Sequence, residues 1–234
     1  MFKFFLLLVF LFFPIALPAQ QLPLPKSIIP LDSLVGRKIL AEHLHNHFLK
    51  LNNQFLTQKN QTYCGIASIV MVLNALDIKG PTDPIYTPFR PFTQDNFFSI
   101  ANASAISLDV LAKEGMTLDQ AASLLITLPV HSKALHADEL SLEEFRAFLK
   151  NEKNNRYIVV NFLRDVLQEQ KGGHFSPIGA YDQKYDRVLI LDVARYKYPP
   201  IWVKVKDLWR AINTMDSSSK KSRGLLFIES VKEK

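Results

Sequence analysis

Apolar residues recur at helical spacing over much of the first 150 positions. Gly36–Leu51 is predicted to form one helix, and Cys64–Leu76 is the strongest helix candidate in the chain. Because Cys64–Leu76 is apolar on nearly every side, we expect it to be buried at the centre of a domain. The next segment, Asp77–Phe92, holds four prolines and a Gly-Pro pair, which predicts an irregular loop.

Three shorter helices are predicted further along, over Ser107–Gly115, Thr117–Leu128 and Ser141–Glu152. The second and third open with Thr-x-x-Gln and Ser-x-x-Glu. In this pattern the first and fourth residues cap the free N–H groups of a helix start. These two helix beginnings are therefore better defined by the sequence than their ends.

The last third of the chain has the pattern of β-strands, which are short apolar runs rich in branched and aromatic residues. The predicted strands are Arg156–Leu163, His174–Asp182, Asp186–Arg195, Pro200–Lys206 and Arg223–Ser230. Turn-like links between successive strands indicate an antiparallel sheet. Helices first and strands second predict an α+β domain with a helical N-terminal lobe and a β-sheet C-terminal lobe.

Composition adds little to this picture. The chain of 234 residues is 48% hydrophobic, enough for a substantial core. The net charge of +6 comes from 28 basic and 22 acidic residues, and the basic ones are dispersed or near the C-terminus. A nucleic-acid partner is not expected, because such proteins cluster their basic residues on one face.

The N-terminus has the order of a secretory signal: a lysine, a short apolar run and small residues before a cleavage point. We expect residues 1–19 to be removed after Ala19, leaving a charge of about +5 and an exported protein without a stable membrane anchor. The alternative is an uncleaved anchor, although the run is short for a bilayer. Residues 20–33 are predicted to form an extended, proline-rich entry segment. Residues 34–234 are predicted to form a single domain.

The only cysteine, Cys64, opens the most apolar helix. A helix N-terminus favours the thiolate and so lowers the pKa of a thiol, and Gly65 leaves the backbone there approachable. One alternative is a buried cysteine that acts as a small hydrophobic residue. The other is a catalytic nucleophile, which needs a base and a group that orients that base.

His174 is the candidate base, because it follows two glycines and opens a strand. Asp192 interrupts the apolar sequence VLILDVA, and a buried aspartate requires a partner. In an antiparallel hairpin the two residues lie on one face in some registers and on opposite faces after a one-residue slip. A pair on one face is therefore permitted but not required. The alternative is two unrelated polar residues on a solvent face.

The other five histidines lie in the segment EHLHNH and beside an expected helix–loop junction: His43, His45, His47, His131 and His136. On one helix only His43 and His47 would share a face. A solvated helix face is expected there rather than a metal site.

A thiolate that attacks a carbonyl needs hydrogen-bond donors for the oxyanion that develops. The backbone N–H of Cys64 is one candidate. A side-chain amide just upstream would be the other, and Gln58 and Gln61 both qualify.

The order Gln58, Cys64, His174, Asp192 resembles that of papain-like enzymes, in which the six-residue gap favours Gln58 as the oxyanion donor. The stretches TQKNQTYCGIASIVMVLNAL, FTQDNFF, GGHFSPIGAYD, LDVARYKYPPIWVKVKDLW and DSSSKKSRG are together similar to the catalytic domain of the phytochelatin synthase family in its short prokaryotic form. The similarity runs from about position 23 to about 230. It implies a papain-like cysteine-peptidase fold.

The resemblance also implies an activity on glutathione. Cys64 would attack the Cys–Gly carbonyl, release glycine and hold a γ-glutamylcysteinyl thioester. Hydrolysis would then give γ-glutamylcysteine, or transfer to a second glutathione would give phytochelatin. His174 would carry the proton, and Asp192 would hold its imidazole. Asp216 and Arg223 would grip the γ-glutamyl end, and a forked guanidinium suits a carboxylate. The resemblance also suggests pocket residues at Tyr63, Gly173 and Asn161.

Members with a second, cysteine-rich domain are thought to sense metal through it, and this sequence has one cysteine. No tightly bound cofactor is expected. Cadmium or zinc would enter as a metal–glutathione thiolate substrate, deglycylation would predominate, and a homodimer is expected from the family. Two other hypotheses are a general papain-like peptidase, which would not need Asp216 and Arg223, and a non-catalytic module that binds thiols or metal.

Overall fold

A computed structural model describes residues 21–44, 46–85, 87–151 and 153–231. Its α-helices are α1 Leu34–Ala41, α2 Asn46–Asn52, α3 Cys64–Ala75, α4 Leu108–Glu114, α5 Leu118–Ser123, α6 Leu142–Lys150 and α7 Val205–Ile212. Its strands are β1 Ile29–Pro30, β2 Val130–His136, β3 Arg156–Leu163, β4 Gly173–Asp182, β5 Arg187–Ile190, β6 Ile201–Lys204 and β7 Gly224–Ser230. Short 3₁₀ turns include Ala137–Glu139 and Arg164–Leu167.

The strands form one sheet in the order β1-β6-β5-β4-β3-β7-β2, and every described neighbouring pair is antiparallel. Side chains on its two faces enter two separate cores. From β3, Tyr157 and Val159 pack with α3, whereas Ile158, Val160 and Phe162 pack with α6 and α7. This alternation is the period of two expected of a strand covered on both faces. The predicted α+β class and antiparallel sheet are confirmed.

The helix α3 agrees with its prediction most closely. It begins at Cys64, and eleven of its residues are buried, so it lies inside the domain as expected for a helix that is apolar all round. The two predicted capping boxes are also present, at the starts of α5 and α6. The helix α4 and the irregular segment after α3 are likewise as predicted, although α5 ends five residues earlier than expected.

The prediction of one helix over Gly36–Leu51 was wrong. The chain leaves α1 at Glu42, whose N–H bonds back to Ile39 and Leu40, and starts again at α2. His43 lies in the link between the two helices. The Nε2 atom of its ring is 2.9 Å from Oδ2 of the buried Asp182. This contact with the sheet outweighs the local helical pattern.

The division into helices and then strands was also too simple. His131 and His136 do not flank a helix–loop junction, because both belong to the strand β2, which pairs with β7 along its whole length. The predicted strand Pro200–Lys206 ends at Lys204, where α7 starts directly. The first difference adds a strand to the sheet, and the second supplies a helix that packs on one of its faces.

The β4–β5 hairpin carries the predicted base and its partner. Its pairing shifts by one residue between Ala180 and Ile178, so that Ile178 faces Ile190. A one-residue shift exchanges the two faces of the strand beyond it. This bulge brings His174 to the same face as Asp192, which follows the end of β5; an unbroken register would put them on opposite faces.

The segment predicted to be extended runs beside the 195–202 region. Leu22 donates its N–H to Lys197 at 2.8 Å, and Ile29–Pro30 adds the edge strand β1 to β6. The predicted signal, residues 1–19, lies outside the described residues. Within the described part of the chain, none of the helices combines the length and apolar character that crossing a bilayer requires.

Candidate active site

Cys64 is the first residue of the twelve-residue helix α3, and its side chain is buried. The positive end of the helix dipole therefore lies near the sulfur. The absence of a side chain at Gly65 has a specific use, because a Cβ there would come within 2.7 Å of the Sδ of Met116. Met116 can therefore pack against the first turn of the helix, beside the thiol.

His174 and Asp192 form the predicted pair. The Nε2 of His174 lies 2.9 Å from Oδ1 of Asp192, and the hydroxyl of Ser176 lies 3.0 Å from the same nitrogen. The Oδ1 atom also accepts the N–H of Ala194 at 2.8 Å. The ring nitrogen left to face the Cys64 thiol is Nδ1. The thiol, the imidazole and the carboxylate thus lie in the order that a nucleophile, its base and an orienting group require.

Electrostatics favour a charged thiolate–imidazolium pair. Burial raises the pKa of Cys64, but the hydrogen bond and charge of His174, the N–H of Phe175 and the charge of Arg164 together hold that pKa below its ordinary value. Burial and Arg164 lower the pKa of His174, yet Asp192 and the Cys64 contact raise it above its usual value overall. The proton therefore moves towards the imidazole.

Sequence reasoning missed two residues of this cluster, Arg164 and Glu169. The Nη2 of Arg164 lies 2.9 and 2.7 Å from the two oxygens of Asp192, and its Nη1 lies 2.5 Å from Oε2 of Glu169. All three side chains are buried. The available signal was an arginine directly after the apolar strand β3, but only the tertiary fold brings it to Asp192.

The two candidate amides lie in different places. Gln58 is buried, and its Nε2 donates to the carbonyl of Asn60 at 2.6 Å and to the hydroxyl of Tyr196 at 3.2 Å. Burial, and then the negative charge of Cys64, raise the pKa of Tyr196, so this phenol is within electrostatic reach of the sulfur. Gln61 lines the cavity beside Cys64. Both amides therefore stay candidates on geometry.

Cys64 lines a cleft with a volume of about 630 Å³, which includes the open space at its mouth. Of the predicted pocket residues, Asn161, Gly173, Asp216 and Arg223 line it, together with Gln61, Thr62, Glu114, Gly115, Met116, Phe175, Ser217 and Ser218. Tyr63 is not among these lining residues; it caps α3 and packs against the core.

Arg223 lines the cleft and is incompletely paired. Its Nη1 donates to Oδ1 of Asn161 at 3.1 Å and lies 3.6 Å from Oδ2 of Asp216. Its Nε is buried and has no hydrogen-bond partner in the part of the chain that the structure describes. A Cβ at Gly173 would come within 2.8 Å of Nη1, so the glycine makes room for the guanidinium. The site can accept a further anionic group.

The histidines near the N-terminus do not form a metal centre in the described residues. His43 contacts Asp182, and His47 bonds the carbonyl of Arg156 at 2.9 Å and stacks on Tyr157. His45 lies outside the described residues. Because His43 lies between two helices, the prediction that it shares a helix face with His47 was wrong. The described part of the chain has no group of three or more candidate metal ligands.

Comparison with known proteins adds the family. The profile of the family described as Phytochelatin synthase matches residues 19–225. Glutathione gamma-glutamylcysteinyltransferase 3 of Lotus japonicus is 36% identical over 219 residues, which are 91% of this chain and 44% of that protein.

Glutathione gamma-glutamylcysteinyltransferase 1 of Arabidopsis thaliana is 34% identical, over 89% of this chain and 43% of its own length. The protein named glutathione gamma-glutamylcysteinyltransferase from Schizosaccharomyces pombe is 29% identical, over 88% of this chain and 50% of its own length. The chain thus spans about half the length of these curated relatives or less. By the extent of the profile match and these identities, the chain belongs to the phytochelatin synthase family.

Proposed function

We propose that this chain is a glutathione γ-glutamylcysteinyltransferase that forms an acyl-enzyme on Cys64. The thiolate attacks the carbonyl carbon of the Cys–Gly bond of glutathione, and the carbonyl oxygen becomes an oxyanion. The N–H of Cys64, and the amide of Gln58 or Gln61, are the candidate donors for that oxyanion. When the C–N bond breaks, the imidazolium of His174 gives its proton to the leaving amine of glycine.

The second half-reaction consumes the γ-glutamylcysteinyl thioester. The neutral imidazole of His174 takes a proton from the attacking group, and the thiolate of Cys64 leaves. If water attacks, the product is γ-glutamylcysteine. If the amino group of a second glutathione attacks, the product is a phytochelatin with one more γ-glutamylcysteinyl unit. A glutathione whose thiol is bound to cadmium or zinc is the proposed metal-dependent substrate.

One observation carries the choice of substrate: buried Arg223 lines the same cleft as Cys64, and its Nε has no hydrogen-bond partner among the described residues. A buried donor without a partner is unfavourable unless a ligand completes it. The γ-glutamyl group has a carboxylate for Arg223 and an ammonium for Asp216, and these lie at the end of glutathione away from glycine. This fits the activity printed in the names of the relatives.

Three wider features belong to the same proposal. The helix that opens with the nucleophile and packs against a sheet bearing the base supports a papain-like fold. Residues 1–19 are proposed to be an export signal, which would make the mature protein periplasmic or secreted. A homodimer is proposed from the family alone.

Mass spectrometry of the intact protein after brief exposure to glutathione tests the reaction. We expect an adduct of γ-glutamylcysteine less one water, on Cys64, together with free glycine. The adduct must survive a reductant that does not cleave thioesters, because a mixed disulfide with glutathione would be removed. The Cys64→Ser variant must form no such thioester. A parent enzyme that releases neither glycine nor γ-glutamylcysteine would rule the proposal out.

The main alternative, a general peptidase, is separated by substrate choice. Glutathione and an α-linked Glu-Cys-Gly peptide differ only in the link that presents the carboxylate and ammonium to Arg223 and Asp216. We expect glycine release from glutathione alone. Equal rates on the two peptides would favour the peptidase. A non-catalytic binding module would retain glutathione in both parent and Cys64→Ser without releasing glycine.

A further inference from the structure

The fold buries an arginine against the carboxylate of Asp192, the residue proposed to orient the imidazole of His174. Arg164 follows β3 in the 3₁₀ turn Arg164–Leu167 and is 3% exposed. We propose that Arg164, anchored by Glu169, is a positioning residue that fixes the carboxylate of Asp192 and, through it, the imidazole of His174. The turnover arm of the test rests on the function proposed above.

The contacts of Arg164 determine the orientation of the Asp192 carboxylate. Nη2 contacts both oxygens of Asp192, at 2.9 and 2.7 Å, and one of those oxygens, Oδ1, is also the partner of His174 Nε2. A carboxylate held at both oxygens cannot rotate about its last bond without breaking a contact with the guanidinium. Because the same oxygen receives the imidazole, the direction of the ring depends on where Arg164 lies.

The guanidinium is itself fixed from the other side. Nη1 contacts Oε2 of Glu169, and the central carbon lies 5.7 Å from the ring centre of Phe162 and 5.1 Å from that of Tyr198. The hydroxyl of Tyr198 accepts the N–H of Gln170 at 2.7 Å, next to Glu169. Two carboxylates at two nitrogens of one planar group require an arginine, because a lysine offers a single point charge.

Arg164 also contributes to the charge balance of the site. The charged and titratable groups around it are Asp192, Glu169, His174, Cys64 and Tyr196. Its positive charge lowers the pKa of both Cys64 and His174, although it is not the largest influence on either. Loss of the charge would therefore raise both values, whereas loss of position alone would leave them in place. Position and charge can be tested separately.

Four variants make this separation. Arg164→Met removes charge and geometry, and Arg164→Lys keeps the charge without the fork. The double variant Arg164→Met, Glu169→Met keeps the net charge of the cluster, and so avoids leaving Glu169 buried without its partner. Arg210→Met is the matched control, because Arg210 is an exposed arginine on α7 whose nearest carboxylate oxygen, on Asp207, is 4.0 Å away.

The Arg164 variants should change kcat for glutathione and leave KM almost unchanged. We expect kcat to fall about 100-fold in Arg164→Met and about 10-fold in Arg164→Lys, the range seen when a group that orients a metal ligand is removed. KM for glutathione should stay within twofold of the parent, as a rough limit, because Arg223 is untouched. A rise in KM at unchanged kcat would place Arg164 in substrate binding and overturn the proposal.

Alkylation by iodoacetamide measures the ionisation of the Cys64 thiol without substrate turnover, since Cys64 is the only cysteine. The pH midpoint of the alkylation rate should rise in Arg164→Met and stay at the parent value in Arg164→Lys and Arg210→Met. This arm remains valid even if glutathione proves not to be the substrate. Thermal melting shows whether each variant is folded. Parent kcat and parent midpoint in a folded Arg164→Met or double variant would overturn the proposal.

Discussion

Two buried arginines, Arg164 against Asp192 and Arg223 in the lining of the cleft, differ in how completely they are paired. Arg164 contacts Asp192 and Glu169 at hydrogen-bond distance through both terminal nitrogens. Within the described residues, Arg223 has one side-chain bond to Asn161, an oxygen of Asp216 at 3.6 Å, and a buried Nε with no partner.

The difference indicates two uses for the same side chain. Arg164 has its carboxylates within the protein, so it can hold a neighbouring group in place but has little capacity left for a ligand. Arg223 lines the cleft and is less completely paired, so the proposed function assigns it a substrate carboxylate as a further partner. A sequence motif reports only that an arginine is present, whereas pairing distinguishes a positioning residue from a binding residue.

Loss of the Asp192 charge should give the largest effect. It would show whether the pair of Arg164 and Asp192 contributes to catalysis. In Asp192→Asn the imidazole of His174 loses its charged partner, and we expect kcat to fall by about 10⁴, as in comparable triads. Steady-state glycine release measures it. Asp207→Asn on the helix α7 is the control for the same chemical change. A fall of less than tenfold would mean that Arg164 and Asp192 are a structural ion pair.

Arg223→Gln addresses the other side. Removing a charged hydrogen-bond donor from a buried site should weaken glutathione binding on the order of 10- to 100-fold, seen as a rise in KM with kcat little changed. Lys220→Gln in the same loop is the control, since Lys220 is exposed. If Arg223→Gln instead lowered kcat at constant KM, the contrast between the two arginines would be wrong.

The pH dependence should depend on the Cys64–His174 pair and not on Arg223. The reactive pair exists above the pKa of Cys64, which is lowered, and below that of His174, which is raised. Activity should therefore be lost as pH falls through the first value and again as pH rises through the second. The iodoacetamide midpoint should lie below about 8.5, the value of a free cysteine. It should stay unmoved in Arg223→Gln; a midpoint at or above the free value would contradict the ion pair.

Tyr196→Phe should have the smallest effect, because Tyr196 belongs to neither arginine. Its hydroxyl accepts one of the two amide hydrogens of Gln58, and Asn60 accepts the other. Removing one neutral hydrogen bond should lower kcat about 2- to 10-fold, by loosening the amide. Tyr185→Phe is the control, an exposed tyrosine in the β4–β5 turn. A faster variant would show that Tyr196 withholds the amide from the oxyanion.

The fold was predictable where local patterns agree with tertiary contacts. The helix α3 is apolar on every side and could only be buried, and the capping boxes of α5 and α6 fixed two helix starts. The strand β2 was missed because its polar and apolar residues do not alternate cleanly, and pairing with β7 decides its structure. Valine and lysine alternate over residues 203–206, across the end of β6 and the start of α7, so the sequence shows no boundary between them.

The candidate site was predictable to a similar degree. The nucleophile, base and aspartate could be named because each lies in an unusual local setting. Their geometry could not, since two registers of one hairpin gave opposite answers. Gly179 marks the position of the bulge between Ile178 and Ala180, but a glycine within a strand does not by itself determine the register. Arg164 was missed because it is 28 residues from Asp192 and no local pattern links them.

Because of the bulge in β4, the site depends on whether the number of residues between His174 and the β4–β5 turn is odd or even. Removing one residue between His174 and Ile178 would change that number by one, and the hairpin could keep its pairing and apolar packing from Ile178 to the turn. The part of β4 before the deletion would then present its other face, so His174 would point away from Asp192. An insertion or deletion of two residues there would be less damaging to the site than one of a single residue, although it changes the length more. The His174–Asp192 pair is therefore encoded partly in whether a number of residues is odd or even.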